Sequence, residues 1–567
     1  MGVSLLITTE IKGKKKKFDE EKTKISLKFN NWGPIYKGEF EIKPFTVLIG
    51  ANNTGKSYSA MTYYAIVKGI KKALFPWLSD IKDYMRNESP EDVDVLKEEI
   101  YKEQLEKLAY KDNFDDVIQE VGFYSIDLSK KWLLVYLNKR KDVIVQEIER
   151  VFSSNIEELI SFNKQAAKVV FTAKDSHLSF ECIIQIVRKK VPDVSLKLDF
   201  TKEKDKLKKM IEEGFYETIS KSIESSKDYQ DILIKAYFFS DVLNDIMKFG
   251  KDIDFKKIWS TMSINSRMAL IRKLVAYFKV YVLLIMSWMD NLLGNVFYLP
   301  ASRSGILQGH KIIASALVST YPLAITKGIN IPKFPGYVAD FLSELLKIGE
   351  ERSLEPSEDV RRISNELLEK IEKTLSGMIK IKKFEDYGIS ELVYTTLNGN
   401  DVPVSRTSSM ISELAPLYLY LKFVVNQEDT LIIEEPESHV HQDIQAKLAT
   451  ILANLVNQEK LKLIITTHSD VFISKINNLI SLSHLSIDEY KALGYSIIDV
   501  LRPDIVGAYL YKKYKDQLTI IEKLDITDEG IPDEIFTKII ESLYEETMNI
   551  YYRLQKIKLG SSKKDQK

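Results

Sequence analysis

One segment of the sequence has the glycine, lysine and serine spacing that phosphate binding requires. It is Gly50-Ala51-Asn52-Asn53-Thr54-Gly55-Lys56-Ser57, and it lies between an apolar strand pattern and a helical pattern. The glycines let backbone N–H groups surround phosphate oxygens, Lys56 supplies a positive charge, and the Ser57 hydroxyl can ligate Mg²⁺. A chance match is the alternative, but the flanking strand and helix favour a nucleotide-binding loop. The predicted ATP-binding residues are Gly50, Asn52, Asn53, Thr54, Gly55, Lys56, Ser57 and Tyr58.

A second segment supplies carboxylates of the kind that phosphate hydrolysis requires. The apolar run at 431–433 ends in Glu434 and Glu435. We predict that Glu434 faces the Mg²⁺ ion and that Glu435 is the general base for the attacking water. The alternative is a strand end with two solvated acids, which the phosphate-binding loop elsewhere in the chain makes the weaker interpretation.

A histidine follows a third apolar run in a similar position. Residues 463–465 are followed by Thr466, Thr467 and His468, and the chain has only 6 histidines. Open α/β sheets place their ligand sites at the carboxyl ends of strands. We therefore predict that His468 senses the γ-phosphate, against the alternative of a structural or surface histidine.

The elements that would hold these residues have patterns typical of an α/β protein. Residues 24–49 resemble a strand meander that ends in the apolar strand 45–49, and Pro76 ends a helix predicted over 57–75. From there to about residue 289 the pattern is mostly that of charged amphipathic helices, with a small hairpin predicted at 178–181 and 194–198. Residues 295–300 return to an apolar strand.

The last part of the chain is rich in core elements. A second helical stretch covers roughly 311–376, and a hairpin is predicted around Asn398-Gly399-Asn400. The apolar runs at 431–433 and 463–465 are typical of strands buried on both faces of a parallel sheet. An amphipathic helix is predicted over 533–554.

Composition excludes several classes of protein. A chain of 567 residues exceeds one hydrophobic core, so two or three structural units are expected. Lys plus Arg equals Asp plus Glu at 81 each, so bulk charge gives no reason for non-specific nucleic-acid binding. The lone Cys182, predicted to be buried, excludes an internal disulfide and a cysteine zinc site. The most apolar stretch, 274–299, is interrupted by Lys279 and Asp290, so no membrane span and a cytoplasmic location are expected.

The three motifs together resemble the ABC-type ATPase heads of the SMC/RecF superfamily. The wording Glu434-Glu435-Pro436-Glu437-Ser438-His439-Val440-His441 is most similar to the AAA-domain ATPases of the OLD type. Residues 45–50, 298–303 and 528–532 also resemble that family. The resemblance covers about 24–75, 293–310 and 380–555. OLD nucleases carry a Toprim domain after the head, for which this chain leaves no room, so any nuclease activity is expected to come from a separate partner.

The resemblance also implies a signature segment that contacts ATP bound to another subunit. The matching place is a helix start at Ser408 and Ser409, whose hydroxyls and amides would face the γ-phosphate in trans. Met410 stands where the family has a glycine, and a plain serine helix cap is the alternative. Gln308 is the candidate for the Q-loop.

These observations predict an α/β fold, a P-loop NTPase head of the ABC type that is split by a long, mainly helical insertion. We expect an ATPase that uses ATP and Mg²⁺, whose heads associate as a homodimer or larger assembly. The resemblance implies work on DNA, in repair or in defence against phage and plasmids, with an effector protein as partner. The alternative is an ATP-switched regulatory or scaffold module that acts on a protein without nucleic acid. The predicted segments are 1–75 (first part of the head), 76–290 (insertion), 291–310 (core strand and Q-loop), 311–376 (second helical segment) and 377–567 (remainder of the head).

Overall fold

A computed structural model gives the structure of this protein. It describes residues 23–74, 107–112, 130–131, 133–175, 178–200, 260, 263–265, 267–268, 285–286, 289–309, 334–350, 363–384, 389–514, 518–532 and 544–554. Three predicted regions lie partly outside this set: much of the insertion at 76–290, residues 311–333 and 351–362 of the second helical stretch, and residues 533–543 of the last helix.

The phosphate-binding loop follows three strands and precedes a long helix. The strands are β1 (Lys24–Trp32), β2 (Ile35–Ile42) and β3 (Phe45–Ile49), and the helix is α1 (Lys56–Leu74). These strands and the helix are confirmed, but the predicted meander is wrong, because β13 and β14 lie between β2 and β3 in the sheet. All five residues of β3 are buried. A central position in the sheet covers both faces of this apolar strand and therefore stabilises it more than an edge position beside β2 would.

The main sheet has 11 strands in the order β6-β5-β4-β1-β2-β14-β13-β3-β12-β11-β7. Its centre is parallel: β3 pairs with β12 and β13, and β11 pairs with β12 and β7. Strand β7 (Val296–Leu299) forms one edge of the sheet, and β11 (Thr430–Glu434), β12 (Lys462–Thr467), β13 (Val506–Lys513) and β14 (Thr519–Leu524) lie inside it. The strands predicted at 295–300, 431–433 and 463–465 are confirmed, and so is the α/β fold.

Alternation along the central strands divides the core into two layers, one on each face of the sheet. Ile432 and Ile464 belong to the layer that contains α1, whereas Ile433 and Ile465 belong to the opposite layer, which contains most of the later helices. Successive side chains of a strand point to opposite faces. The continuous apolar runs in the sequence therefore contribute side chains to both layers of the core.

The segment after α1 contributes strands to the sheet as well as helices. Helix α2 (Lys141–Phe152) packs on α1, where Gly69 allows a close approach: an added Cβ would lie 3.0 Å from the Ile144 Cα. Strands β4 (Ala166–Lys174), β5 (Leu178–Val187) and β6 (Asp193–Phe200) extend the sheet, because β4 pairs with β1. The predicted hairpin is confirmed as β5 and β6. The division at 76–290 stays a prediction, and its described residues belong partly to the main sheet.

Helices and a second sheet complete the face opposite α1. The three-stranded sheet has the order β10-β9-β8, and its β9–β10 hairpin turns at 397–400 as predicted. The remaining elements are α3 (Gly336–Glu350), α4 (Asn365–Leu375), β8 (Gly377–Phe384), β9 (Ile389–Thr396), β10 (Asp401–Pro403), α5 (Ser409–Phe423), α6 (Gln442–Glu459), α7 (Asp470–Ser481) and α8 (Ile487–Ala492). Residues 544–554 are helical, in agreement with the predicted last helix.

Two expectations from composition can be compared with the described residues. Cys182 is buried on β5, and burial raises the pKa of its thiol to about 12. In the part of the chain that the structure describes, no helix is both long and apolar enough to cross a membrane.

Candidate nucleotide site

The predicted functional residues come together at one edge of the sheet. The phosphate-binding loop follows β3, Glu435 follows β11, His468 follows β12, and residues 301–309 follow β7. These four strands are parallel and adjacent, with Thr467 beside Ile49 and Ile433 beside Leu299. Their carboxyl ends therefore line one crevice, the usual ligand position in an open α/β sheet.

The phosphate-binding loop is held in a conformation that side chains would obstruct. Gly50 has φ +150°, and an added Cβ would lie 2.6 Å from the main-chain oxygen of Tyr511. Gly55 has φ +94°, and its added Cβ would lie 2.8 Å from Pro34. Asn53 also has a positive φ, of 61°. The spacing of the two glycines is thus required by the fold of the loop itself.

Lys56 is the first residue of α1 and its ammonium group points back into the loop. The Nζ atom donates to the main-chain oxygens of Gly50 at 2.7 Å and Ala51 at 2.9 Å. Burial lowers the pKa of Lys56, while the charges of Glu435, Glu437 and Glu434 oppose that shift. A buried ammonium among carboxylates is a strong attractor for phosphate oxygens, because the low local dielectric strengthens the interaction.

The two adjacent carboxylates after β11 have different surroundings. Glu434 is buried, and its Oε2 accepts from the main-chain N–H of Ala301 at 3.1 Å. Glu435 is partly exposed; its N–H donates to the Thr466 oxygen at 2.9 Å, and its Oε2 accepts from the Ser438 hydroxyl at 3.1 Å. Glu435 also has φ +42°. This left-handed conformation in a residue other than glycine is costly and is typical of functional sites.

His468 lies between Glu435 and a further carboxylate that the sequence reasoning did not assign. Its Nδ1 is 3.7 Å from Glu435 Oε1 and 3.6 Å from Glu437 Oε1. The same Glu437 oxygen accepts from the Thr467 hydroxyl at 2.6 Å and from the His468 N–H at 2.9 Å. Glu437 is buried and Glu435 is not, so Glu437 holds the histidine turn in place while Glu435 remains accessible.

An open cleft of about 720 Å³ adjoins these groups. Its lining includes Asn52, Ala301, Glu435, Glu437 and His468. The first turn of α7 closes one side of the cleft, and Asp470 there has its pKa raised by burial, an effect that His468 opposes. The cleft is thus polar and large enough for phosphate groups and water.

The oxygen atoms at this edge fit a magnesium ion. The Ser57 hydroxyl and the Glu434 carboxylate are hard oxygen donors of the type that Mg²⁺ prefers. Among the described residues, no group of three or more His, Cys, Asp or Glu side chains is placed to hold a metal by itself. Mg²⁺ usually keeps several waters and is shared with substrate phosphates, so one carboxylate and one hydroxyl can be its protein ligands.

The predicted signature residues lie at the start of α5. Ser408 is the N-cap residue and Ser409 the first helical residue, and both are exposed. Within the described structure the Ser408 side chain makes no capping hydrogen bond. Gln308 reaches the same helix, since its Nε2 lies 3.3 Å from the Ser412 hydroxyl. These three residues therefore lie together at the start of α5.

The side chain of Tyr58, a member of the predicted ATP-binding set, packs against other parts of the fold. Its ring lies 4.6 Å from the Phe152 ring between centroids, tilted by 49°, and fills the space above Gly33. Burial raises the pKa of its hydroxyl. Only the main chain of Tyr58 is left for contact with a nucleotide.

A buried arginine is the second residue that sequence reasoning did not assign to the site. Arg303 is 2% exposed and donates to the main-chain oxygens of Glu434 at 2.7 Å and Glu435 at 3.2 Å. Its position within the run that resembles the OLD family, 298–303, was the only signal in the sequence. Nothing in local periodicity indicates that this arginine is buried.

Comparison with known proteins gives one family. The family model described as "AAA ATPase domain" matches residues 24–473 of the chain. A search of curated proteins gave no match. Similar solved structures include the Smc head domain of Pyrococcus furiosus bound to the C-terminal domain of ScpA, at 10% identity and TM-score 0.33, covering 92% of this chain and 100% of that one. The SMC head domain of Thermotoga maritima is 8% identical at TM-score 0.31, covering 89% of this chain and 99% of that one.

Proposed function

Because this chain belongs to the family of AAA ATPase domains, we propose that it binds ATP in the crevice beside Lys56 and hydrolyses it to ADP and phosphate. The observation that carries the proposal is the convergence of three strand ends. They bring a buried lysine, an accessible carboxylate and a histidine to one edge of the sheet: Lys56 interacts electrostatically with Glu435, and Glu435 and His468 lie 3.7 Å apart. Each group has the chemistry that one part of phosphoryl transfer needs.

The residues divide the reaction between binding and water activation. Loop N–H groups and Lys56 bind the phosphates, and Lys56 can leave its two carbonyl partners for phosphate oxygens. Glu435 accepts the proton of the attacking water, because its carboxylate is accessible and has one neutral hydrogen-bond partner in Ser438. His468, fixed by Glu437, contacts the γ-phosphate. Mg²⁺, held by Ser57 and Glu434, would neutralise charge on the phosphates when bound.

We further propose that two copies of this head associate around ATP. Ser408 and Ser409 are exposed at the N-terminus of α5, and within the described part of the chain the Ser408 side chain makes no capping hydrogen bond there. A helix N-terminus attracts phosphate. The cleft beside Glu435 is open, so the start of α5 from a second molecule could enter it. Each head would then complete the site of the other.

Lys56→Ala tests the binding part of this proposal. It removes a charge that faces the loop and no core packing, so the folded variant should lose ATP binding, as measured with a fluorescent ATP analogue. Lys447→Ala, at an exposed lysine of α6, is the matched control. Wild-type affinity in Lys56→Ala would refute the assignment of the loop.

Light scattering with and without Mg-ATP tests the association. Glu435→Gln should bind ATP without hydrolysing it and accumulate dimers, and Lys56→Ala should not. Replacing Ser408 and Ser409 with phenylalanine in the Glu435→Gln background should abolish those dimers. Dimers that form equally well in that triple variant would refute the role of the signature serines.

The biological setting is proposed from the family resemblance alone: DNA repair or defence, in the manner of OLD-type ATPases, with a separate effector. ATP turnover measured with and without duplex DNA tests it. Stimulation by DNA supports this setting. Turnover that ignores DNA favours the alternative, a module that switches a protein partner.

A further inference from the structure

Arg303 donates to five main-chain oxygens in the crevice, and three of them belong to the segment around the proposed base. Its NH1 donates to the Glu434 oxygen at 2.7 Å, and its NH2 donates to the oxygens of Glu435 at 3.2 Å and Pro436 at 3.5 Å. NH1 also lies 3.4 Å from the Pro300 oxygen on its own segment. A planar guanidinium with five donors suits such a row of carbonyls, which a lysine could not span.

The other edge of Arg303 is fixed by the helix that begins with the signature serines. Its Nε donates to the Glu413 main-chain oxygen at 3.2 Å and lies 3.3 Å from Glu413 Oε2. Both side chains are buried, at 2% and 1% exposure. A buried arginine needs a carboxylate nearby, so the position of one side chain constrains the position of the other.

Glu413 extends the network to two more segments of the crevice. Its Oε1 accepts from the Ser304 hydroxyl at 2.5 Å and lies 3.0 Å from His439 Nδ1. His439 has φ +58° and Glu435 has φ +42°, so two strained residues of the same turn are anchored by this pair. Strain of this kind persists only where surrounding contacts enforce it.

From these contacts we propose that Arg303 and Glu413 are positioning residues that couple the signature helix α5 to the proposed base Glu435. Glu413 lies little more than one helical turn after Ser409. A phosphate that binds the start of α5 therefore shifts or steadies Glu413, and Arg303 passes the change to the main chain at 434–436. The inference rests on the proposed trans contact. It explains how a phosphate bound at the signature serines of one head would position Glu435 of that same head.

Glu413→Gln tests the coupling, because it removes the charge but keeps the size and hydrogen-bonding atoms of the side chain. We expect kcat to fall about 10- to 100-fold with KM for ATP unchanged, since a small misplacement of catalytic groups costs up to about 10²-fold. ATP-dependent dimers should still form in the Glu413→Gln, Glu435→Gln double variant. Wild-type turnover should rise with protein concentration, and that of Glu413→Gln should not.

Glu372→Gln is the matched control. Glu372 lies on α4 and accepts a hydrogen bond from Tyr418 of α5, so it holds the same helix without touching the turn at 434–436. Its kcat should match that of the wild type. The coupling is overturned if folded Glu413→Gln keeps wild-type kcat, if it loses ATP affinity or dimers, or if Glu372→Gln is equally slow.

A second variant decides the matter should Glu413→Gln fail to fold. Ser304→Ala deletes one hydrogen bond to Glu413 and leaves no charge unpaired; it should lower kcat with KM and dimer formation unchanged. Wild-type kcat in Ser304→Ala would then overturn the coupling. Failure of the trans-site proposal is recognised separately, because dimers of Glu435→Gln itself would then be absent.

Discussion

Replacing Glu435 and Glu437 one at a time should distinguish the base from the carboxylate that supports it. Both acids approach His468 Nδ1, at 3.7 Å and 3.6 Å, so distance alone does not separate them. Their other contacts do. Glu435 has one hydroxyl partner on Oε2 and is 31% exposed, whereas Glu437 is 4% exposed and accepts two hydrogen bonds on Oε1.

Glu435→Gln should affect the rate far more than the stability. The amide oxygen can keep the Ser438 hydrogen bond, and loss of the partly exposed carboxylate beside His468 should change the free energy of unfolding by less than about 1 kcal/mol. Loss of a positioned base slows the chemical step about 10²–10⁴-fold, equivalent to roughly 3–5.5 kcal/mol in the barrier. ATP affinity should not weaken, because a negative charge that repels the phosphates is removed.

Glu437→Gln should have the opposite balance. The amide oxygen can still accept from Thr467 and His468, but the NH₂ group would occupy the place of Oε2. That atom is buried and finds no hydrogen-bond donor among the described residues. A buried unsatisfied donor, together with loss of the carboxylate charge that interacts electrostatically with Arg303, should destabilise the protein by about 1–3 kcal/mol. Turnover should fall by less than in Glu435→Gln, through a loosened His468.

Single-turnover hydrolysis at saturating Mg-ATP, together with urea unfolding of the same preparations, measures both quantities. The reasoning is refuted if Glu437→Gln is as slow as Glu435→Gln without loss of stability. Glu437 would then be the base and Glu435 the supporting residue.

Three further predictions concern groups with less direct roles. Tyr58→Phe should keep the ATP dissociation constant within about twofold, because the ring packs against Phe152 and over Gly33; a tenfold change would show a side-chain contact with ATP. Burial raises the pKa of Asp429 from 3.8 to about 6, so the folded protein favours the protonated carboxyl. The stability that this protonation contributes is fully present below pH 3.8 and is lost as the pH rises through 6. From pH 7 to pH 5 the wild type should gain about 1 kcal/mol in free energy of unfolding relative to Asp429→Asn, measured in urea, and an equal response of both proteins would contradict this. Cys182 is buried with its pKa raised to about 12, so Ellman's reagent should react with it only as urea unfolds the protein; rapid labelling of the native protein would contradict its burial.

Local patterns in the sequence located the strand ends that carry the candidate site residues, whereas the roles of those residues in ATP binding and hydrolysis remain predictions. Glycine spacing, an apolar strand before the loop and a helix after it are local features, and the predicted start of the helix at residue 57 is one residue from its observed start at Lys56. Likewise, Glu434 and His468 could be found because each follows an apolar run that ends at the crevice. The trans role of Ser408 and the Q-loop role of Gln308 remain predictions.

Partners in the sheet could not be predicted, because periodicity indicates a strand but not its neighbour. The alternation of residues 24–49 therefore suggested a meander, although β13 and β14 separate β2 from β3. For the same reason β4 was missed as the neighbour of β1. Arg303 and Glu437 were missed since charged residues in a polar run are usually exposed, and only their tertiary contacts show otherwise.

The separation in sequence of the central strands has a consequence for synthesis of the protein. Phe45 pairs with Leu463 and Val506, so roughly 400 further residues must be synthesised after β3 before either neighbouring strand exists. At ordinary translation rates that is on the order of 20–80 s, during which an apolar strand and its nucleotide loop have no sheet to join. Folding of this head is therefore expected to be slow and late, with a long interval in which chaperones can bind the nascent chain.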